Sequence, residues 1–204
     1  MHFQMTRRPD LCYNKTDLAA RKGGRHVTYL RRLIWYIASR LLIVCCVLGL
    51  LIMAFYFSMN ATNIYIILKD GMAKRAQVVM MGESENALTS YFSSAYISRD
   101  PLLAQARNGE SVYQNHYSIT GIDHRISMDW VWCWPWEDTA RATMQESIPR
   151  IDGKVKSASR DDVEAMGLTS APPRWQSCEY DVLLSRENGR WIIKNMTVTE
   201  IINE

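Results

Sequence analysis

The sequence predicts an α+β protein in which one transmembrane helix is followed by helices packed on a curved four-stranded antiparallel sheet, a cone-like roll. Three observations predict this class. Residues 41–68 contain no charged side chain, and a helix needs only about 20 apolar residues to cross a bilayer. Helical periodicity then continues to about residue 107. From residue 117 the apolar period changes to two, which is typical of half-buried strands.

The composition narrows the class of protein. Among 204 residues, 48% are hydrophobic, which is too apolar for a disordered chain. Five Cys are too few for a disulfide scaffold, and 10 Gly with 6 Pro exclude a collagen-like chain. The length suits one domain plus an additional segment. We therefore predict a basic cytoplasmic tail at 1–32, a transmembrane helix at 33–60, a membrane-proximal helix at 61–82 and an extracytoplasmic α+β domain at 83–204.

The apolar segment is interpreted as an uncleaved signal anchor. A buried core helix and a cleaved signal peptide are the alternatives, but the stretch is longer than a typical signal h-region and about 32 residues precede it. Basic and aromatic residues on its N-terminal side match a membrane–water interface, where Arg40 could extend its guanidinium to the headgroups. These membrane-interface residues are Arg31, Arg32, Trp35, Tyr36 and Arg40.

Charge asymmetry predicts the orientation. Residues 1–40 carry nine Lys or Arg against two Asp, whereas residues 41–204 carry 15 basic and 19 acidic side chains. The positive-inside rule then places the N-terminus in the cytoplasm and the C-terminal domain outside the plasma (inner) membrane. We expect the tail to be mostly disordered and able to contact anionic lipid. We do not expect it to bind nucleic acid, because basic juxtamembrane residues usually determine topology.

The outer domain is expected to open with helices. Residues 61–98 are predicted as helix, with bends at Gly71 and Gly82. Asp100 and Pro101 have the chemistry of an N-cap and a first helical residue, and Gly109 that of a helix stop. The apolar face of the 83–98 segment is predicted to consist of Leu88, Tyr91, Phe92 and Ala95.

Four strands are predicted to follow as a meander. The first, from residue 117, is long enough that we expect a bulge. The second covers 139–148 after a turn at 137–138, and the others cover 175–185 and 190–199, joined by Asn188-Gly189, which supplies the positive φ angles of a tight turn. Between them, Ser159 is predicted to start a short helix with a capping box, and Gly167 to end it.

Two segments of the sequence resemble parts of a known protein superfamily. Residues 180–198, with Asn188-Gly189-Arg190-Trp191, resemble the closing hairpin of the nuclear-transport-factor-2-like (cystatin-like) superfamily, and residues 91–100 are similar to its opening helix and Asp. A single-pass anchor followed by such a domain resembles the inner-membrane scaffold subunits of type IV secretion systems and conjugation machines. Mce-associated and sporulation-channel proteins share this layout. The resemblance implies a fold and does not imply an activity.

No catalytic site is predicted. His124 is the best candidate, since it is the one polar residue on the apolar side of its predicted strand, but a satisfied core or rim histidine is the ordinary interpretation. A general base also needs a partner to tune it, and no sequence neighbour of His124 supplies one. His116 and His124 lack zinc spacing, and no phosphate loop or hydrolase motif is present. We therefore expect no metal and no cofactor.

A row of four tryptophans is the most unusual feature of the chain. Trp130, Trp132, Trp134 and Trp136 are predicted to share the face of His124, as a core wall under the covering helices, a partner surface or a ligand cleft. Trp136 is expected to be the most exposed of the four. Cys133 is predicted to lie on the opposite face, whereas Cys178 is predicted to point into the core, so we do not expect a disulfide between them.

The leading hypothesis is a non-enzymatic scaffold or assembly subunit. Its residues 33–60 would contact membrane lipid, and its outer domain would bind other envelope proteins or itself. The alternatives are a membrane-tethered binding domain for a lipid or small envelope ligand, and an enzyme of the isomerase or dehydratase type. A spacious pocket with polar groups around His124 would favour the enzyme, and an exposed apolar patch would favour the scaffold.

Overall fold

The structure, a computed structural model, describes the backbone of residues 15–202 and the side chains of residues 29–202. It confirms the α+β class: one long N-terminal helix, shorter helices and a curved, unclosed four-stranded antiparallel sheet. The helices are α1 (Lys15–Met81), α2 (Ser94–Arg99), α3 (Pro101–Arg107), α4 (Val112–His116) and α5 (Arg160–Ala165). The strands are β1 (Tyr117–Trp132), β2 (Thr139–Val155), β3 (Ser177–Glu187) and β4 (Arg190–Ile202).

Helix α1 is the one described helix that is long and apolar enough to cross a membrane. It begins at Lys15, so the expectation of disorder is wrong for residues 15–32, while residues 1–14 of the predicted tail lie outside the described part. This segment contains no proline, and residues 18–22 are good helix formers, so helix can continue through it. The chain divides into two compact units, one ending at Ile52 and one beginning at Met53.

The second unit includes the C-terminal part of α1. Ile64, Leu68, Met72 and Ala76 recur every four residues and are fully buried, so this stripe of α1 forms part of the core of the α+β domain. The segment predicted as a membrane-proximal helix, 61–82, therefore packs as part of this unit. Gly71 does not end the helix. Its missing Cβ permits a close approach, since a Cβ there would lie 3.0 Å from Cβ of Tyr91.

The predicted continuous helix over 61–98 is interrupted. Helix α1 ends at Met81, followed by Gly82 with φ of 73°, and a 3₁₀ segment covers Glu85–Ser90. The chain then pairs briefly with β4: the Ser93 N–H donates to the Ile193 carbonyl (2.9 Å), and the Ile193 N–H donates to the Tyr91 carbonyl (2.8 Å). Because of these bonds residues 91–93 are not helical, and the helix that begins at Ser94 turns a different set of side chains toward the core. As a result Ala95 is exposed, and Tyr96 and Ile97 are buried instead.

The sheet is the predicted meander, with strand order β1-β2-β3-β4 and every neighbouring pair antiparallel. Asn188 (φ 49°) and Gly189 (φ 79°) form the closing turn, as predicted. Strand β2 extends to Val155, beyond the predicted end. The β1–β2 turn lies at 135–136 rather than at 137–138, because the Glu137 N–H donates back to the Trp134 carbonyl (3.2 Å).

The capping predictions have different outcomes. Asp100 caps α3, accepting from the backbone N–H groups of Leu102 (2.9 Å) and Leu103 (3.4 Å), as predicted. Helix α5 forms and Gly167 follows it with φ of 66°, but the capping box is wrong: Ser159 makes no side-chain cap. Its hydroxyl instead donates to the Asn115 carbonyl (3.3 Å), which links α5 to α4.

Strand β1 changes face along its length. Its pairing with β2 shifts register between Ile119 and Gly121, between Asp123 and Arg125, and between Met128 and Trp130. These irregularities confirm the expected bulge. Successive side chains point to opposite faces of the sheet. Each extra residue in a strand therefore moves the side chains that follow it to the face opposite the one predicted. The third shift has the largest consequence for the surface of the domain.

Candidate functional site

The tryptophan row begins on the outer face of the sheet. After the shift near Asp129, Val131 pairs with the buried Ala142, while Trp130 pairs with Thr143 and Trp132 with Arg141. Trp130 is 51% exposed, Trp132 48% and Trp136 68%, and Trp134 is half-buried. The expectation that the row forms a core wall on the face of His124 is therefore wrong, because the shift inverts the faces. Trp136 is the most exposed of the four, as expected.

The four rings form a continuous row of ring contacts, with two stacked pairs, Trp130–Trp132 and Trp134–Trp136, joined by a tilted contact of 52° between Trp132 and Trp134. The planes of Trp130 and Trp132 are nearly parallel (4°) with centroids 6.4 Å apart, and the centroid separations from Trp132 to Trp134 and from Trp134 to Trp136 are 5.4 Å and 5.0 Å. Ring stacking restricts the rotamers, so these exposed side chains are held in place before any partner arrives.

A shallow groove of about 420 Å³ runs beside Trp130 on the same face. Leu183, 40% exposed, adds an aliphatic side chain to the aromatic ones. The Thr143 hydroxyl donates to Asp181 (2.9 Å) across the strands. The polar side chains that line the groove are Arg141, Thr143, Asp181, Asn195 and Thr197. Exposed Trp beside Arg, with a polar surround, is a composition typical of protein interfaces.

His124 lies on the inner face and has a partner that the sequence analysis did not identify. Its Nε2 is 2.9 Å from Oε1 of Glu146, and the two side chains are 6% and 0% exposed. The other Glu146 oxygen accepts from Trp175 Nε1 at 3.5 Å, and the Tyr180 phenol lies near the carboxylate. The histidine is thus a satisfied core group, which was its ordinary interpretation. Neither His124 nor Glu146 lines the described cavities.

A second buried polar cluster joins the first three helices. Arg75 of α1 binds Asp100 through two bonds, Nε to Oδ2 (2.6 Å) and Nη2 to Oδ1 (3.2 Å), with side chains 5% and 0% exposed. The Tyr96 hydroxyl donates to the same carboxylate (3.1 Å). Asp100 therefore neutralises Arg75 and caps α3 at the same time. Among the described residues, Arg75 Nη1 is buried without a hydrogen-bond partner.

Burial and neighbouring charge perturb the groups of both clusters. Burial opposes ionisation of Asp100, but the Arg75 charge and the hydrogen bonds outweigh it, so the pKa of Asp100 is lowered. Burial, reinforced by the Glu146 carboxylate, raises the pKa of Tyr180. Burial also raises the pKa of Tyr96, against the opposing effect of Arg75. The phenols therefore stay neutral, while Asp100 stays ionised.

A cavity of about 530 Å³ adjoins the second cluster. Its wall combines Arg75 and Tyr96 of the helices with the segment leading into β3 and the inner side of the edge strand β4. The contributing side chains include Trp175, Tyr180 and Met196. This space is mostly apolar with a few polar groups, which is the usual make-up of a small-molecule pocket.

The remaining predicted residues are placed as follows. Arg31, Arg32, Trp35, Tyr36 and Arg40 lie on α1 with exposed side chains, and the Arg40 guanidinium lies over the Tyr36 ring, 5.4 Å from its centroid. Cys133 is buried in the core, contrary to the predicted face, again because of the register shift. Cys133 and Cys178 are free thiols, and burial raises the pKa of each. The described residues contain no group of three or more potential metal ligands.

Glu146 and Arg75 are the polar residues that sequence reasoning missed. A signal for Glu146 was available: Ala140, Ala142 and Met144 alternate on the buried face, and the same period continues to residue 146. Arg75 gives no comparable signal, since an Arg near a helix end is ordinarily solvated.

No family model, curated protein or solved structure matches the chain.

Proposed function

We propose that this chain is a non-enzymatic, single-pass membrane protein that serves as an assembly or scaffold subunit of an envelope complex of the secretion or conjugation type. In this proposal α1 spans the plasma (inner) membrane through residues 33–60, with the N-terminus cytoplasmic. The extracytoplasmic domain then binds another envelope protein or a second copy of itself. The observation that carries the proposal is the exposed, stacked tryptophan surface on the uncovered face of the sheet.

The energetics of this surface favour a partner. A tryptophan buries 150–250 Å², so covering the exposed half of Trp130 and Trp132 would remove about 200 Å² of aromatic surface from water. At about 25 cal/mol/Å² this contributes about 5 kcal/mol before the costs of association. Aromatic surface of this kind beside Arg141 is typical of the few residues that dominate binding energy.

The environment of His124 supports a non-enzymatic role. A general base must reach its substrate, but this side chain is 6% exposed and is occupied by Glu146 at 2.9 Å. The cavity of about 530 Å³ is lined by other residues. The condition that would have favoured an enzyme, a spacious pocket with polar groups converging around His124, is therefore not met among the described pockets.

That cavity supports a second candidate function, a membrane-tethered domain for a lipid or small envelope ligand. Its volume and mostly apolar wall suit a small amphipathic molecule, and the Arg75 side chain in that wall suits a polar head. We rank this candidate below the scaffold because Nη1, the Arg75 atom without a hydrogen-bond partner, is sealed from solvent, so a ligand would have to move neighbouring side chains to reach it.

Site-specific crosslinking tests the scaffold proposal. A photoreactive phenylalanine analogue at position 130 should capture one defined protein in native membranes, identified by mass spectrometry, whereas the same analogue at Met166 should not. Met166 is the matched control because it is apolar and 60% exposed but lies outside the tryptophan surface. Trp132→Glu should lower recovery of the captured partner about tenfold or more, and Met166→Glu should leave it unchanged.

A third variant separates the two candidate functions. Met196→Trp adds volume at the wall of the cavity of about 530 Å³ and leaves the outer face intact. Under the scaffold proposal the folded variant complements a deletion strain and Trp132→Glu does not. The reverse pattern, with loss of function in Met196→Trp only, would replace the scaffold proposal with the ligand-binding one.

A further inference from the structure

The turn between β1 and β2 is tied to the segment of α1 at residues 57–60. Cys133, at the start of this turn, places its thiol 3.9 Å from the Phe57 carbonyl. At the other end of the turn, Arg186 links the turn to the helix. Its backbone N–H donates to the Asp138 carbonyl (2.7 Å), and its guanidinium donates to Asn60 Oδ1 (2.9 Å). Two independent contacts therefore hold the turn beside one short stretch of helix.

This stretch of helix is where the apolar span ends. The most apolar part of the sequence is 41–57, so in a membrane-spanning α1 Phe57 is close to the point at which the helix leaves the hydrocarbon. A helix rises about 1.5 Å per residue, so residues 57–60 cover only about 4.5 Å along its axis. The polar headgroup region is roughly 5–7 Å deep on each side of the hydrocarbon, which places the turn beside this region.

The side chains of the turn are those that a membrane interface selects. Trp134 and Trp136 stack with centroids 5.0 Å apart, and Trp136 is 68% exposed, the largest exposure in the row. On the helix, Tyr56 is 47% exposed beside Phe57. Tryptophan and tyrosine concentrate at membrane–water interfaces because the ring is apolar and its N–H or O–H group is polar.

We propose that the β1–β2 turn is a second membrane contact, in which Trp134 and Trp136 lie in the headgroup region of the outer leaflet. The contact holds the outer domain at the bilayer and leaves Trp130 and Trp132 facing a protein partner. Glu137 and Asp138 are exposed next to Trp136, so the contact depends on the aromatic rings and requires no anionic lipid. This inference rests on the proposed membrane-spanning role of α1.

Fluorescence quenching of the full chain in phosphatidylcholine nanodiscs tests the contact. Lipids brominated near the top of the acyl chain quench only tryptophans that lie at or below the headgroups. The chain has seven tryptophans. Trp136→Phe should reduce the quenched fluorescence by about one tryptophan's share. Trp130→Phe is the matched control, because it removes a similarly exposed ring at the other end of the row and should leave the quenched fluorescence unchanged.

Trp35→Phe, on the N-terminal flank of the span, separates this inference from its premise. Loss of quenched fluorescence in both Trp35→Phe and Trp136→Phe supports the second contact. Loss in Trp35→Phe alone overturns the contact and leaves the membrane anchor. Loss in neither overturns the anchor and the contact together. Substitution by Phe at a residue that is 68% exposed should preserve folding, which equal melting temperatures of the variant and wild type would verify.

Discussion

Replacing Asp100 by Asn should destabilise the α+β domain more than any change to a surface ion pair. Asn ranks with Asp as an N-cap and its amide oxygen can still accept from the Leu102 and Leu103 N–H groups, so the cap of α3 is retained. What is lost is the negative charge beside Arg75, whose side chain is 5% exposed. Leaving a buried charge without its partner costs about 3–5 kcal/mol.

This loss of stability translates into a large thermal shift. In a domain of about 150 residues, 1 kcal/mol lowers the melting temperature by about 2–4 °C, so Asp100→Asn should lower it by about 6–20 °C. The assay is thermal and urea unfolding of the full chain in detergent, followed by tryptophan fluorescence. Asp152→Asn is the control, because Asp152 pairs with Arg150 at 2.9 Å but both side chains are more than half exposed. That variant should lose less than about 1 kcal/mol.

The pH dependence gives a second, independent readout. Because the folded-state pKa of Asp100 is lowered, its ionisation contributes stability that is present above the unfolded value of 3.8 and is lost as the pH falls toward the folded value. This part of the acid destabilisation should be missing in Asp100→Asn. Adding Arg75→Met should recover stability, since it removes the uncompensated cation. An Asp100→Asn loss below about 1 kcal/mol, equal to that of the control, would refute the reasoning.

Three further predictions follow from the same structure. His124→Ala should lower the free energy of unfolding by about 1–3 kcal/mol, because buried Glu146 loses a hydrogen-bond partner. The folded variant should still complement a deletion strain, since a scaffold transfers no proton. A complementation assay with recovery of the partner checks this. The pKa values of Tyr96 and Tyr180 are raised in the folded state, so above pH 10 the unfolded phenols ionise and the folded ones do not. The free energy of unfolding should therefore decline as the pH rises above 10. Urea unfolding at pH 9 to 11 and phenolate absorbance measure this decline. A reporter fused after Glu204 should be active only outside the cytoplasm, and an inactive reporter would contradict the positive-inside orientation.

Local chemistry was sufficient to predict several elements from the sequence. Asp100 caps α3 because its carboxylate reaches N–H groups two and three residues away, and Asn188-Gly189 turns because these residues tolerate positive φ. The interactions involved lie within a few residues of one another. No distant part of the chain had to be known to predict them.

Other outcomes depended on distant partners. The helix predicted to continue through residues 91–93 is interrupted because Ile193, a hundred residues away, binds the backbone there. The alternation of β2 predicts that Glu146 is buried, but only folding brings its neighbours, His124 and Tyr180, to it from the adjacent strands. Arg75 acquires its significance in the same way, from Asp100 across a helix interface.

By itself, then, the sequence determined the fold class, the strand order, the apolar span and the presence of a row of four tryptophans, because each depends on periodicity or on short-range chemistry. Only the tertiary structure decided which way that row faces. A single register shift between Met128 and Trp130 turned Trp130 and Trp132 outward and Cys133 inward. The physical reason is that side chains alternate with a period of two, so one added residue exchanges core and surface for the residues that follow, while the apolar pattern of the sequence stays the same.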